Sequence, residues 1–239
     1  MAELLIAAQS IVTATPDAAV LSPGYVLVED GRIIAVEAGD PPRTPDEHLD
    51  RGVLVPGFVD LQVNGYYGVE FDMADEAGWR LVADRLPETG TTAFVPTIIT
   101  APLPRLNDSL KAAASIIPAL ADQPEAPALP DQPGPPAGPA ARASAGTRVL
   151  GVHVEGPFIS PKRGGAHNRA WMTDPTPEAV SGLLDAAQGH LKILTLAPER
   201  DGALQAIREL TKQNVLVSVG HSDARAHQVA EAADAGARM

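Results

Sequence analysis

Arg148-Val-Leu-Gly-Val-His153-Val-Glu155-Gly156-Pro157 is a short apolar run that ends on a carboxylate and a Gly-Pro turn. It reads as a buried strand with an acidic side chain carried off its C-terminal end. A strand this apolar has no structural use for a carboxylate at its tip, where the group is placed to hold a cation or polarise a substrate. The run Asn214-Val-Leu-Val-Ser-Val-Gly220-His221-Ser222 ends in the same way on an imidazole. Two buried strands, each tipped by a side chain able to bind metal, point to a barrel enzyme with its site at the strand ends.

Outward from these two runs, strands alternate with helices. Val53 to Val63, Thr92 to Ile99 and Leu191 to Ala197 read as further strands. Asp75 to Thr89 reads as a helix closed by Gly90, and Leu103 to Ile117 as a second. Thr176 is expected to N-cap a helix with Pro177 at its first position. Asp201 to Lys212 is expected to be helical, and Ser222 or Asp223 to cap a last helix closed by Gly236. Apolar strands alternating with helices imply a parallel sheet covered by helices. The fold class is α/β: a partial (β/α)8 TIM-type barrel of about five strand–helix units over residues 53–239. Ahead of it, residues 1–52 are expected to form part of a small β-domain. There Gly24 to Glu29 and Arg32 to Glu37 form a hairpin, because Asp30-Gly31 supplies the positive φ values of a type I′ turn.

Residues 121–146 hold seven prolines and no apolar period. They read as a solvated, flexible, partly polyproline-like insertion on the face away from the site. Five strands fall short of the eight, over roughly 250 residues, that such a barrel requires. The chain is therefore expected to be C-terminally truncated, with a sheet edge exposed.

Composition narrows the chemistry. The net charge of −12 makes nucleic acid and anionic membrane poor partners. With no cysteine, any metal must be held by histidine and carboxylate. No apolar stretch approaches a membrane span, no signal peptide opens the chain, and a cytoplasmic location is expected.

Parity along the strands sharpens the site. Residues 149, 151, 153 and 155 share a face, as do 215, 217, 219 and 221, so Glu155 and His221 meet at the barrel mouth. They suit Zn²⁺ or Fe²⁺, although either residue alone reads equally well as a polar strand end. His153 lies two residues inside its strand and reads as a satisfied core histidine, or one standing behind a ligand, rather than as a ligand itself. Gln62 and Asn64 share a face on the first barrel strand and point at the same mouth, where amides hydrogen-bond water or substrate. The plainer reading of Asn64-Gly65 is a turn. The loop Phe158 to Asn168 carries Lys162, Arg163 and His167 and is able to hold an anionic or hydroxyl-rich ligand. For the two cations an exposed loop with incidental charge is the better reading, and for His167 both readings stay open. His48, His190 and His227 read as surface residues. No Gly-x-Ser-x-Gly elbow surrounds Ser222, which excludes a typical serine hydrolase.

Several stretches together carry a family resemblance. They are Leu54 to Gly65, Pro96-Thr97, Gly151-Val-His-Val-Glu-Gly-Pro-Phe158, Gly164-Gly-Ala-His-Asn168, Thr195-Leu-Ala-Pro-Glu199 and Ser218-Val-Gly-His-Ser222. With these motifs the chain resembles the N-acetylglucosamine-6-phosphate deacetylase family of the amidohydrolase superfamily, from about residue 4 to the end outside the Pro-rich insertion. The resemblance implies hydrolysis of an amino-sugar-phosphate acetamide to glucosamine 6-phosphate and acetate. It implies Glu155 and His221 as ligands of one divalent metal, zinc or iron, because Gln62 and Asn64 stand where two-metal relatives carry His-x-His. It implies His167 as the catalytic histidine that polarises the amide carbonyl, and Gln62, Asn64, Gly156 and His167 as substrate-binding positions. It also implies a homodimer at full length. A third metal ligand on a sixth strand and an aspartate general acid–base on an eighth would lie beyond Met239, so the 239 residues alone are expected to be inactive. The alternatives are another amidase of the superfamily and a non-catalytic fragment that binds an amino-sugar phosphate.

Overall fold

The computed structural model describes residues 3–17, 19–121 and 146–239. The expected insertion at 121–146 lies almost wholly outside the described residues. The chain divides into two compact units, Met1–Gly57 and Phe58–Met239.

The first unit is a four-stranded sheet in the order β5-β4-β1-β6, built from β1 (Glu3–Ala8), β4 (Gly24–Glu29), β5 (Arg32–Ala38) and β6 (Glu47–Leu49). A small ribbon, β2 (Ile11–Val12) with β3 (Val20–Leu21), completes it. Asp30 (φ 47°) and Gly31 (φ 75°) make the β4–β5 turn with both central residues left-handed, as the Asp-Gly pair predicts. Ala8, Ile11 and Val26 form its small core, with Leu21, Val28 and Leu54 packed on them.

The second unit is a curled parallel half-barrel. Its strands are β7 (Phe58–Val63), β10 (Thr91–Ile99), β12 (Val152–Glu155), β13 (Leu191–Leu196) and β14 (Leu216–Val219), paired in that order and all parallel. β8 (Gly65–Tyr66) and β9 (Val69–Glu70) form a short ribbon after β7, and β11 (Arg148–Val149) pairs with β10 just ahead of β12. The helices are α1 (Glu76–Arg85), α2 (Leu103–Ala121), α3 (Pro177–Ala187), α4 (Ala203–Lys212) and α5 (Ala226–Ala235). Central strands are buried on both faces, as parallel strands under helices must be: all four β12 residues are buried, and Phe94, Ile98, Leu194 and Leu196 are 0% exposed. At the edge the pattern inverts. β7 pairs only with β10 among the described residues, and Phe58, Val59 and Leu61 stand exposed on it.

Several element bounds depart from expectation, each for a local reason. The strand expected over 148–155 is interrupted at Leu150-Gly151. Gly151 (φ 144°) turns the chain where the Leu150 N–H bonds to the Phe94 carbonyl and the Val152 N–H to the His190 carbonyl. A Cβ at 151 would stand 2.3 Å from Lys192 Cγ, so only glycine fits this crossing. The last strand ends at Val219, not His221. Neither Ser222 nor Asp223 caps the final helix. Arg225 does, its N–H bonding to Gln228 Oε1 at 2.9 Å. Residues 201 and 202 precede α4, with left-handed Gly202 at its N-cap, and the helix from Leu103 continues to Ala121. Asp75 and Thr176 N-cap α1 and α3 through their side chains. Among the described residues no helix is long and apolar enough to cross a membrane.

Gly156 follows the tip of β12 with φ 84°, and a Cβ there would stand 2.1 Å from the buried Thr100 Oγ1. That hydroxyl donates to the Glu155 carbonyl at 3.0 Å. Gly156→Ala therefore combines a left-handed backbone penalty with a clash that breaks a buried bond, and is expected to cost about 2–4 kcal/mol. Urea denaturation measures the loss. Adding Thr100→Ala is expected to return part of it by removing the obstructing oxygen.

Candidate metal centre

The parity of β12 puts His153 and Glu155 on the face opposite Val152 and Val154. His153 is 3% exposed and sits between two threonines, with Nδ1 3.3 Å from Thr97 Oγ1 of β10 and Nε2 2.8 Å from Thr195 Oγ1 of β13. Burial pushes its pKa below the usual imidazole value, against the pull of Glu155. It is the satisfied core histidine that its position predicts, a neutral tie across three strands.

Glu155 is 8% exposed at the strand tip. Its Oε1 lies 3.0 Å from His221 Nε2; its Oε2 lies 3.8 Å from His167 Nε2 and accepts from Gln62 Nε2 at 3.2 Å. The imidazoles hold the carboxyl down at about 2, His167 foremost and His221 after it, and they outweigh burial, which raises it. By distance His221 is the hydrogen-bond partner, and His167 lies just beyond that reach.

His221 reaches this place by a route that strand parity does not provide. It sits two residues past β14 in a left-handed backbone conformation, φ 48°. Its Nδ1 lies 2.9 Å from the Arg163 carbonyl, which can only accept, so Nδ1 carries the proton. Nε2 faces a carboxylate oxygen 3.0 Å away. At that distance a proton or a metal cation stands between the two atoms. A ring whose far N–H is fixed by a carbonyl is also the usual form of a metal-ligating histidine. Gly165 (φ 55°) lets the loop pass over the ring, where an added Cβ would sit 3.5 Å from His221 Cε1.

His167 packs edge-on to His221, ring centroids 4.6 Å apart, and its side chain is 6% exposed. Its Nδ1 is buried without a hydrogen-bond partner. The ligand atoms of Glu155, His167 and His221 all lie within 4.8 Å of one another, compact enough for one metal ion. Carboxylate and imidazole donors suit zinc or iron(II).

The remaining expected positions divide. Gln62 joins the cluster through Glu155. Asn64 lines a neighbouring cleft with Tyr66, Thr97 and Ile99. Gly156 commits its N–H to the Thr195 carbonyl at 3.0 Å. Lys162 and Arg163 both pair with Asp223, at 3.1 and 2.7 Å. His48 and His227 are exposed.

A parallel sheet that gathers a carboxylate and imidazoles at its strand ends is how metal-dependent barrel enzymes place their sites. The chain matches no protein-family model. Its relatives narrow the class. It is 34% identical over 223 residues to N-acetylglucosamine-6-phosphate deacetylase of Bacillus subtilis (strain 168), covering 91% of this chain and 51% of that one. It is 33% identical over 211 residues to N-acetylgalactosamine-6-phosphate deacetylase of Escherichia coli O157:H7, covering 88% and 49%. A mutant N-acetyl-D-glucosamine-6-phosphate deacetylase of Mycobacterium smegmatis, solved in complex with N-acetyl-D-glucosamine-6-phosphate, superposes with a TM-score of 0.81 at 32% identity. That match covers 99% of this chain and 54% of that one. The chain is a homologue of the N-acetylglucosamine-6-phosphate deacetylases and spans about half the length of the curated relatives it matches.

Proposed function

We propose that these residues form the metal-holding half of an amino-sugar-phosphate deacetylase, which hydrolyses N-acetylglucosamine 6-phosphate to glucosamine 6-phosphate and acetate. The observation that supports the reading is the convergence of Glu155, His167 and His221, with His221 Nδ1 on the Arg163 carbonyl. Glu155 and His221 are assigned as ligands of one divalent ion, zinc or iron. Such an ion supplies a Lewis acid that polarises an amide carbonyl and acidifies water beside it.

The chain's own groups divide the remaining work. Glu155 brings the compensating negative charge, and Gln62 fixes its Oε2 by an amide hydrogen bond. His221 presents Nε2 because Arg163 holds its other nitrogen. His167 has no such restraint on Nδ1, so it is free to keep its proton on Nε2 and donate to a substrate amide oxygen. One donor to a developing oxyanion is typically worth about 100-fold or more in rate. Asn64, in its cleft beside the cluster, is assigned to substrate.

Elemental analysis of the purified chain is expected to find close to one zinc or iron per molecule. A metal-free chain that still binds the sugar phosphate would instead favour a non-catalytic binding fragment. Among the described residues the cluster holds no second carboxylate to move protons between water and the leaving amine. Such a group contributes about 10²–10⁴-fold. A polypeptide of these 239 residues is accordingly expected to release no acetate above background, measured by coupled acetate assay. Measurable turnover would overturn that expectation.

A further inference from the structure

We propose that Glu199 is a positioning residue for His221: from beyond the end of β13 its carboxylate clamps the two residues after His221 and keeps the imidazole in the tautomer that turns Nε2 to Glu155. The inference rests on the reading of His221 as a metal ligand. A left-handed backbone at a histidine is disfavoured and needs outside restraint. The restraints are all present. The Ser160 N–H donates to the His221 carbonyl at 2.9 Å. The Ser222 hydroxyl donates to one Glu199 oxygen at 2.7 Å, and the Asp223 N–H donates to the other at 2.6 Å. Ser222 Oγ also accepts from the Ala224 N–H at 2.9 Å, which closes a tight turn.

These bonds close a circuit back to the ring. Glu199 holds the backbone of Asp223. The Asp223 carboxylate holds the Lys162 ammonium and the Arg163 guanidinium. The Arg163 carbonyl takes the His221 Nδ1–H. One carboxylate thus governs the backbone after His221 and, through Asp223, the loop whose carbonyl chooses the tautomer. Burial raises the pKa of Glu199, and the Ser222 and Asp223 bonds outweigh it, so the group stays an acceptor.

The plainer role for Glu199 is to cap a surface turn, in which case its loss would leave the ring undisturbed. Imidazole ¹⁵N–¹H correlation spectra of the zinc-loaded chain, where the ion takes Nε2 and leaves the ring proton on Nδ1, separate the two. The unsubstituted chain is expected to show a slowly exchanging His221 Nδ1–H, held by the Arg163 carbonyl. Glu199→Gln is expected to lose that protected signal, with the tautomer no longer held in the free chain, and to raise the zinc dissociation constant about 10- to 100-fold, the usual effect of removing a group behind a ligand. Ser222→Ala removes one of the two bonds to the carboxylate and is expected to give a smaller shift of the same sign; it also carries the test if Glu199→Gln does not fold. An unchanged Nδ1–H signal in folded Glu199→Gln, or zinc affinity within about twofold of the unsubstituted chain, overturns the proposal. If the unsubstituted chain binds no zinc, the metal reading fails, and the tautomer of the free chain alone decides the role of Glu199.

Discussion

Glu155→Gln removes tight divalent-cation binding from the chain while leaving it folded. Glutamine keeps the size and shape of the side chain and can still meet Gln62 and His221 by hydrogen bonds. It removes the one carboxylate in a cluster whose other members are imidazoles. Groups that merely orient a ligand are worth 10- to 100-fold in affinity. The ligand carrying the compensating charge is expected to exceed that range, so the zinc dissociation constant should rise by more than about 100-fold. Competition against a chromophoric chelator measures it, with a melt in excess chelator to establish that the variant is folded. A change of less than about threefold would remove Glu155 from the metal site.

Acid is expected to destabilise the metal-free chain in two separable windows. Burial lowers the pKa of His153, so the folded state resists protonating it. Its contribution is complete above the unfolded imidazole value near 6.5 and is lost as pH falls below that value. Glu155 is held at about 2, below the 4.5 of an unperturbed glutamate. Its contribution is complete above 4.5 and disappears as pH falls toward 2. A shift of that size corresponds to about 3 kcal/mol, a large share of the roughly 5–15 kcal/mol that holds a domain folded. Other paired carboxylates titrate in the lower window, so the measurement is a difference. Unfolding free energies of the parent and Glu155→Gln, followed by urea titration from neutral pH down to about pH 3, should converge in the second window. His153→Asn should flatten the first. Parallel curves for parent and variant would mean that the Glu155 carboxylate is not held by its neighbours.

The strand-end logic placed Glu155 correctly at the end of its strand because β12 is buried throughout and its alternation is regular up to the tip. It brought His221 beside Glu155 for an incomplete reason. Counting by twos from Val215 assumes a strand that continues to 221, whereas the ladder ends at Val219 and a left-handed residue aims the ring. No period in the sequence encodes a backbone reversal at a non-glycine residue. The packing of His167 against His221 depends on how the loop from 156 closes, which is set by Gly165 and by bonds to carbonyls, and carbonyls have no signature in residue types. Glu199 was legible in principle: it stands three residues beyond Leu196, another acid just past a buried strand, and the rule applied to Glu155 would have singled it out. Asp30-Gly31 was read without error because a two-residue turn is governed by local sterics alone. The interruption at Gly151 was not, since it depends on Lys192 and His190, some forty residues away in the chain.

The outer strand of the half-barrel has a practical consequence. Along the side of β7 away from β10, no strand among the described residues pairs with the backbone beside exposed Phe58, Val59 and Leu61. A row like that is a template on which another extended segment can crystallise, so concentrating the polypeptide should drive it into turbid assemblies long before its net charge of −12 runs out of repulsion.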